Sequence, residues 1–542
     1  MTNKTNQIQR SPSSWSGVGF WNVYFILKFA LSAFGYLNLH LLYNALLLVG
    51  VAFPIPWRAL RVLRTIVAVA LGMTLLYSES WLPSLESVMS NAGNIADFSF
   101  VYLVEIVAGS INWTMIGIGV LVALIYLFVK DWFRVTTVTV LYLVWLFVQP
   151  YWQAWHAETP KVPTNEMQAL NQTETVTPMG PAQVGTRDSK NIDHWLTAFY
   201  KHEESRHTVF PESLGTKPFD VLLVNICSLS NDDLVVAKLT DHAVLKRFDV
   251  YFDAFNSATA YSGPATLRLL TASCGQPSHK ALYNGRRLEC ELLNRLKSIG
   301  YEQQLYMDHQ GKFDDYLTSL KARGGLDIAL APQSQYRIRY TGFDGDVVYD
   351  DADVFDEWVK TLGQSVHPRV TLMNLIALHD GNRQRGTSRE MPFAPRAALL
   401  LDQLQGLMNS IEQSGRRVMM VVVPEHGAAV RGDTIQMARL RDIPSPHITQ
   451  VPVMVKYFGM TEKMTPVHVK ENTSYLALSE LIARSIETDV YAKFDPLETI
   501  RGLAKSLPQT YPVSENSNAA VIRFQDRYFV RLNNRDWLPY QQ

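Results

Sequence analysis

Four residues of metal-binding type stand at the ends of apolar runs in this chain. Cys227 closes Val221–Cys227, His379 follows Val370–Leu378, and Glu425 and His426 follow Val418–Val423. A further chemical group, the Ser262 hydroxyl, lies in Asn256-Ser-Ala-Thr-Ala-Tyr-Ser-Gly-Pro-Ala265, between a strand-like run, Phe248–Phe255, and a helix-like run from Ala265. Gly263 is expected to relax the backbone at this turn. Pro264 is expected at the first helical position, where its missing N–H costs nothing. A hydroxyl at a helix N-terminus faces unpaired N–H groups and the positive end of the dipole, which suits a phosphoryl group.

If Cys227, Glu425 and His426 bind one metal with the Ser262 oxygen as fourth ligand, the thiolate and imidazole select zinc. A zinc-bound hydroxyl loses its proton near neutral pH. The resulting alkoxide can attack phosphorus and form a covalent phosphoserine. Tyr261 adjoins this nucleophile and can orient the incoming group. His379 can act as an acid or hold the phosphate. Arg441, in Leu440-Arg-Asp-Ile-Pro444, offers forked donors to phosphate oxygens. Taken singly, each group has a plainer reading: Ser262 as a helix cap, Cys227 as a small buried hydrophobe, Glu425-His426 as a solvated strand end, Arg441-Asp442 as a local ion pair. Asp308-His309 is expected to stand behind the site at most. Their coincidence at strand ends is what points to a site.

The elements that must position these groups follow from the pattern. Continuous apolar runs read as strands buried on both faces, and ligands in parallel α/β sheets lie outside the carboxyl ends of the strands. Strands are expected at Val221–Cys227, Phe248–Phe255, Gln303–Met307, Val370–Leu378, Val418–Val423 and Thr449–Gly459. Helices are expected at Trp195–Lys201, Asp232–Leu239, from Ala265, and at Leu288–Lys297, Phe313–Lys321, Phe355–Thr361, Phe393–Ser414 and Ser474–Glu487. Ala519–Arg531 reads as a terminal hairpin. Alternation of this kind predicts an α/β sandwich with a largely parallel central sheet.

The 542 residues allow about three domains. A formal net charge of zero gives no support to nucleic-acid binding. Long apolar runs concentrate in the first 150 residues, predicting a five-span α-helical membrane domain (1–150) with spans near Gly19–Leu37, Leu41–Ile55, Leu60–Tyr77, Trp113–Val129 and Phe133–Val148. Lys4, Arg10, Arg58, Arg61, Arg64, Lys130 and Arg134 place one set of loops in the cytoplasm. Ser78–Asn112, with Glu79, Glu86, Asp97 and Glu105 but no Lys or Arg, falls outside. The N-terminus is then cytoplasmic and everything after Pro150 lies on the outer side. Lys28, inside the first span, is expected to contact a partner helix, snorkel, or face the bundle interior. Residues 151–192, rich in Pro, Thr, Asn and Gln from Glu158 onward, read as a flexible linker to a domain spanning 193–542. Of three cysteines, Cys274 and Cys290 enclose a short loop and form the natural pair in an oxidising compartment, although three unpaired thiols satisfy the sequence equally.

Asn256–Ala265, Val423-Pro-Glu-His-Gly427, Leu440-Arg-Asp-Ile-Pro-Ser-Pro446 and Pro512-Val-Ser-Glu-Asn-Ser-Asn518 together resemble the cellulose phosphoethanolamine transferases of bacterial cellulose-secretion systems, over nearly the whole chain. The resemblance implies an alkaline-phosphatase-like fold of the phosphatase and sulfatase superfamily. It implies transfer of phosphoethanolamine from phosphatidylethanolamine to the 6-hydroxyl of glucose units in cellulose. Ser262 then corresponds to the nucleophile, Cys227, Glu425 and His426 to zinc ligands, Tyr261, His379 and Arg441 to supporting positions, and Cys274 and Cys290 to a disulfide. The implied setting is the bacterial inner membrane with a periplasmic catalytic domain, beside cellulose synthase and a small single-span accessory protein. The superfamily usually has a carboxylate where Cys227 stands and Asp-His where this chain has Glu-His, which sharpens the expectation of zinc. Two other readings compete: another phosphodiesterase, sulfatase or phosphoglycerol transferase of the same fold, and a non-catalytic scaffold for the synthase. A sulfatase needs arginine where Thr266 stands in Ser262-Gly-Pro-Ala-Thr266, which argues for an unmodified serine.

Overall fold

A computed structural model of the chain describes residues 18–33, 37, 39–80, 113–156, 186–387, 389–433, 435–460, 462, 464–533 and 535–540. The described residues fall into two compact units, one up to residue 156 and one from residue 186.

The first unit contains helices Trp21–Ala33, Leu41–Ala52, Arg58–Glu79, Trp113–Val129 and Val135–His156. Arg58–Glu79 is long and apolar enough to cross a membrane, and three shorter apolar helices accompany it. Large apolar side chains such as Ile66, Met73, Leu124, Phe128 and Trp145 point outward. The second helix stops at Ala52, before Pro54 and Pro56, because a residue preceding proline leaves the helical region. Lys28 faces the interior of this unit. Its ammonium pairs with the Glu79 carboxylate and donates to Asn44 Oδ1 at 2.7 Å. Glu79 Oε1 accepts from Asn44 Nδ2 at 2.6 Å and from the His40 N–H at 2.7 Å. Glu79 is therefore a buried partner of Lys28, not a member of the acidic outer loop. Here an unpaired charge would be costly, so the two charges are retained together.

The second unit is built on strands β1 (Asp220–Ile226), β2 (Val250–Phe255), β3 (Glu302–Met307), β4 (Ile338–Thr341), β5 (Val347–Tyr349), β6 (Arg369–Leu375), β7 (Arg383–Gln384), β8 (Val418–Pro424), β9 (Val453–Phe458), β10 (Val467–Thr473), β11 (Val513–Glu515), β12 (Ala519–Phe524), β13 (Arg527–Leu532) and β14 (Leu538–Tyr540). Seven form the central sheet, in the order β10-β2-β9-β8-β1-β6-β3. Only β9 runs against its neighbours, so the sheet is mixed and largely parallel, as expected. All residues of β1, β6 and β8 are buried. Val221 and Leu223 face a core with helices Ser262–Leu270, Leu292–Ser298 and Tyr475–Glu487. Leu222, Val224 and Ile226 face the opposite core with helices Asp351–Lys360 and Phe393–Ser414.

Several boundaries differ from the sequence reading. β6 stops at Leu375, not Leu378, because the Asp308 carboxylate accepts the Ile376 N–H at 2.9 Å and turns the chain out of the ladder. The run Thr449–Gly459 divides into a helical turn, Pro446–Thr449, and β9. Strand β10 was not anticipated: its exposed positions are His468, Lys470 and Glu471, which hide an edge strand. The expected hairpin is the middle of a four-stranded sheet, β11-β12-β13-β14. The ends of the expected linker are helical, because one helix continues to His156 and another begins at Thr186. Ile192, Leu196 and Phe199 of the latter pack against Val513, Ile522, Phe529 and Trp537, which draws it into the folded unit. Residues 157–185 lie outside the described residues. Cys274 and Cys290 form a disulfide.

Replacing Lys28 or Glu79 singly by leucine is expected to destabilise the first unit by about 3–5 kcal/mol, because one charge is left buried and unpaired. The double replacement should recover most of that loss. Thermal unfolding of the purified full-length chain in detergent checks this; additive losses would show that the pair is not coupled.

Candidate active site

Strands β1 and β8 are parallel neighbours with Ile226 opposite Pro424. The residues that follow each, Cys227 and Glu425, therefore emerge together at one carboxyl edge. Their backbones remain tied to the sheet: the Cys227 N–H donates to the Leu375 carbonyl at 2.8 Å, and the Glu425 N–H to the Ile226 carbonyl at 2.9 Å. Ser228 then turns away in a left-handed conformation, φ 67°, which is strained for a residue with a Cβ. Gly427 is required next, since a Cβ there would lie 2.7 Å from the Ser230 side chain. The loop is locked by the buried Asp233 carboxylate, which accepts from the Ser230 and Ala428 N–H groups at 2.9 and 2.7 Å.

Within this frame the Ser262 Oγ lies 3.3 Å from Cys227 Sγ and 3.2 Å from His426 Nε2. One ligand atom each from Cys227, Glu425 and His426 can be chosen so that all lie within 4.8 Å of one another. The Gly427 carbonyl, 2.8 Å from His426 Nδ1, can only accept, so Nδ1 carries the proton and the Nε2 lone pair faces the cluster. Glu425 presents its two oxygens unequally. Oε1 accepts from Thr266 Oγ1 at 2.8 Å, Asn374 Nδ2 at 2.7 Å and the Tyr316 hydroxyl at 3.2 Å. Oε2 is buried and has no hydrogen-bond partner.

An orphaned carboxylate oxygen in a buried site is costly unless a cation meets it. The neighbouring groups tell the same story. Burial, followed by the Glu425 charge, pushes the Cys227 thiol up to about 12. Burial raises Glu425, against the hydrogen bonds that Thr266 and Asn374 donate to Oε1. Burial and the Arg441 guanidinium drive His426 well below its ordinary value. A sulfur, an imidazole nitrogen, a carboxylate oxygen and a hydroxyl thus converge where negative charge lacks compensation, and this donor set fits zinc.

The helix that carries Ser262 begins differently from the sequence reading. Tyr261 occupies the cap, Ser262 is the first residue of helix Ser262–Leu270, and Pro264 is the third. Proline is still harmless there, because N–H groups of the first helical turn have no intrahelical acceptor. Ser262 makes no capping bond and its hydroxyl turns to Cys227 and His426. Gly263 is not in the left-handed region, and a Cβ on it would meet nothing within 4 Å.

Of the supporting positions, Arg441 reaches toward Ser228 Oγ at 3.3 Å and His426 Nδ1 at 3.4 Å. The Tyr261 hydroxyl donates to Asp442 Oδ1 at 2.8 Å. His379 does not bond directly to the cluster. It stacks on Phe343 with centroids 4.4 Å apart, and its Nδ1–H donates to the Asp380 carbonyl at 2.7 Å. Burial and Arg441 push its imidazole down to about 3, so it is neutral and unsuited to be a resting acid. Buried Arg396 fixes this loop by donating to the Ala377 and His379 carbonyls at 2.7 and 2.9 Å. His309 does stand behind the site: its Nε2–H donates to Asn374 Oδ1 at 2.8 Å, and Asn374 in turn donates to Glu425.

Residue typing alone missed Asn225, Thr266, Tyr316, Asn374 and Asn516. Two signals were present. Asn225 and Asn374 are polar residues near the carboxyl ends of largely apolar strands buried on both faces, and Thr266 lies four residues after Ser262, on the same helical face. Asn516 lies in the Pro512–Asn518 stretch that carries the resemblance, but no residue pattern there gave it a role. Its Oδ1 accepts from Thr259 Oγ1 at 3.0 Å and the Ala260 N–H at 3.1 Å, while its Nδ2 donates to the Arg441 and Asp442 carbonyls at 2.9 and 3.0 Å. One amide thereby clamps the nucleophile loop to the arginine loop.

Two outcomes follow from this geometry. The thiol of the metal-free site is protonated at neutral pH, so zinc must displace its proton. Zinc affinity should rise about tenfold per pH unit between pH 6 and 8, measured by chelator competition; a pH-independent affinity would exclude Cys227 as a ligand. Asn516→Ala removes four hydrogen bonds and should lower turnover at this site at least tenfold while leaving zinc affinity within about twofold.

Family models match both parts of the chain: the cellulose biosynthesis protein BcsG N-terminal domain over residues 21–148, and the BcsG C-terminal domain over residues 177–537. The cellulose biosynthesis protein BcsG of Salmonella typhimurium is 42% identical over 97% of this chain and 97% of its own length. That of Escherichia coli is 40% identical over the same shares. Among solved structures, a Vibrio parahaemolyticus protein of the alkaline phosphatase superfamily aligns at 14% identity and a TM-score of 0.45, over 64% of this chain and 87% of that one.

Proposed function

Because the chain belongs to the family of cellulose biosynthesis proteins BcsG, we propose that it transfers phosphoethanolamine from phosphatidylethanolamine to the 6-hydroxyl of glucose units in cellulose, with Ser262 as the covalent carrier. The observation that carries this reading is the Ser262 hydroxyl, held 3.2–3.3 Å from His426 and Cys227 at the start of a helix. Glu425 beside it keeps an unpaired oxygen.

Cys227, Glu425, His426 and the Ser262 oxygen would hold zinc, which lowers the pKa of a coordinated hydroxyl. In the first half-reaction the Ser262 oxygen bonds to phosphorus and the phosphorus–oxygen bond to diacylglycerol breaks. The serine proton leaves with the diacylglycerol oxygen. In the second, the glucose 6-oxygen bonds to phosphorus, the Ser262–phosphorus bond breaks, and a proton returns to serine. Arg441 holds phosphate oxygens in its fork. Neutral His379 accepts a hydrogen bond from the acceptor hydroxyl and orients it, and the acceptor's proton is the one that returns to the Ser262 oxygen. Tyr261 orients the group entering beside it.

The first 150 residues form the five-span membrane domain in this reading, with the N-terminus in the cytoplasm. A linker centred on 157–185 leads to a periplasmic catalytic domain in the inner membrane. The outward apolar faces of the first unit support the membrane assignment, and the disulfide supports an oxidising compartment. Cellulose synthase and a small single-span protein are its partners, and a scaffolding role can coexist with catalysis.

Incubation of the zinc-loaded protein with phosphatidylethanolamine, without acceptor, should leave a phosphoethanolamine adduct on Ser262 by peptide mass spectrometry, and Ser262→Ala should leave none. Turnover without any adduct on Ser262 would refute the covalent route. In cells, Ser262→Ala should remove phosphoethanolamine from cellulose while cellulose is still secreted, which separates chemistry from scaffolding.

A further inference from the structure

Among the acidic side chains around Ser262, Asp442 stands apart. Asp380 and Glu390 are both paired with Arg439, Asp232 with Arg431, and Asp233 is saturated by backbone N–H groups and the Ser230 hydroxyl. The half-buried Asp442 accepts one hydrogen bond, from the Tyr261 hydroxyl at 2.8 Å, and has no Lys, Arg or His partner within 4.0 Å among the described residues. Arg441 precedes it in sequence, yet that guanidinium is directed to Ser228 and His426 instead. The divergence is enforced: Asn516 Nδ2 grips the carbonyls of both residues, so their side chains are presented on a fixed backbone.

The two side chains are therefore linked to the Ser262 region with opposite charge, Arg441 through His426 and Asp442 through Tyr261. On one side Arg441 lies 3.4 Å from His426, whose other nitrogen lies 3.2 Å from Ser262 Oγ. On the other side, Asp442 is bonded to Tyr261, the residue that precedes Ser262. Tyr261 is 36% exposed, so a ligand at the serine can reach this pair. An anionic phosphodiester held at Ser262 and Arg441 can extend its headgroup substituent along Tyr261 toward Asp442. A carboxylate that feels the Arg441 charge but that no cation contacts is suited to a substituent that ends in an ammonium. We propose that Asp442, oriented by Tyr261, receives the ammonium of the donor headgroup and makes the site selective for zwitterionic phosphodiesters over those with a neutral tail. This assignment rests on the phosphoethanolamine-transfer reading and adds the residue that distinguishes ethanolamine from a neutral alcohol.

The test compares two chromogenic diesters of equal size on the purified, zinc-loaded full-length chain: p-nitrophenyl phosphoethanolamine and p-nitrophenyl propyl phosphate. The wild type should favour the ammonium-bearing diester in kcat/KM. Asp442→Asn, nearly isosteric, should lose about 10- to 100-fold on that diester and stay within about threefold on the propyl diester, which erases the preference. Asp442→Glu should restore part of it. Equal losses on both diesters would overturn the proposal and give Asp442 a part in the chemistry or the fold. Equal wild-type rates on both would overturn it as well, while leaving phosphoryl transfer standing. A wild type inert toward both would overturn the transfer reading itself, and the inference with it.

Discussion

Negative charge is expensive to bury without a cation, and the carboxyl edge of this sheet concentrates groups that would bear it. The Glu425 carboxylate is fixed by three donors on one oxygen and left bare on the other. Beside it the Cys227 thiol is held protonated by burial, and an imidazole turns its lone pair inward. Such a centre is unstable as a set of charges and becomes stable when a soft divalent ion supplies the missing positive charge. The serine hydroxyl stands at the same point. The burial that makes the metal-free site unfavourable is therefore what would fasten the metal and activate the alcohol.

The remainder of the catalytic unit serves to hold these groups together, with Ser262 Oγ 3.2–3.3 Å from His426 and Cys227 and the three ligand atoms within 4.8 Å of one another. Parallel register places Cys227 and Glu425 side by side, but register cannot position groups that lie on loops. Those are clamped by buried polar side chains with most of their valences filled. Asp233 binds the loop after His426, Arg396 the loop that carries His379, and Asn516 joins the serine loop to the arginine loop. Left-handed residues other than glycine, Ser228, Ala258 and Ala429, occur in the loops of this region. Strain of that kind persists only where the surroundings over-determine the backbone. A site assembled from strand ends and several loops thus behaves as a rigid body.

How far the sequence could be read depended on the range of each interaction. Both-face burial leaves a local trace, so β1, β6 and β8 and the groups at their ends were legible from continuous apolar runs. Edge strand β10 was not, because its exposed face breaks the apolar pattern. The small sheet of β4, β5 and β7 was not either, since strands of two to four residues carry no periodicity. The serine was legible as a helix-start residue, but not its freedom from capping, which depends on partners 35 and 164 positions away in sequence. Asn516 was visible only as a member of the Pro512–Asn518 stretch, and its role was illegible for the same reason. Its importance comes from joining residues 74 to 257 positions away, and nothing near it in sequence records that.

Where charge is buried in this chain, its compensation separates architecture from chemistry. Lys28 and Glu79 neutralise one another inside the first unit, with Asn44 bonded to both. At the amino edge of the central sheet, Asp220 and Arg369 do the same: both are almost fully buried, with Arg369 Nη2 3.1 Å from the carboxylate and its backbone N–H donating at 2.8 Å. Pairs closed in this way have little left to offer a ligand, and their value lies in register and partner choice. At the carboxyl edge of the same sheet the compensation is incomplete at two points, Glu425 Oε2 and Asp442. One gap faces a cluster of soft donors and calls for a metal cation. The other faces a hydroxyl beside the nucleophile and calls for an organic one. In the proposed reading, Arg441 and Asp442 would meet the two charges of a zwitterion while the Glu425 gap would meet a metal beside Ser262.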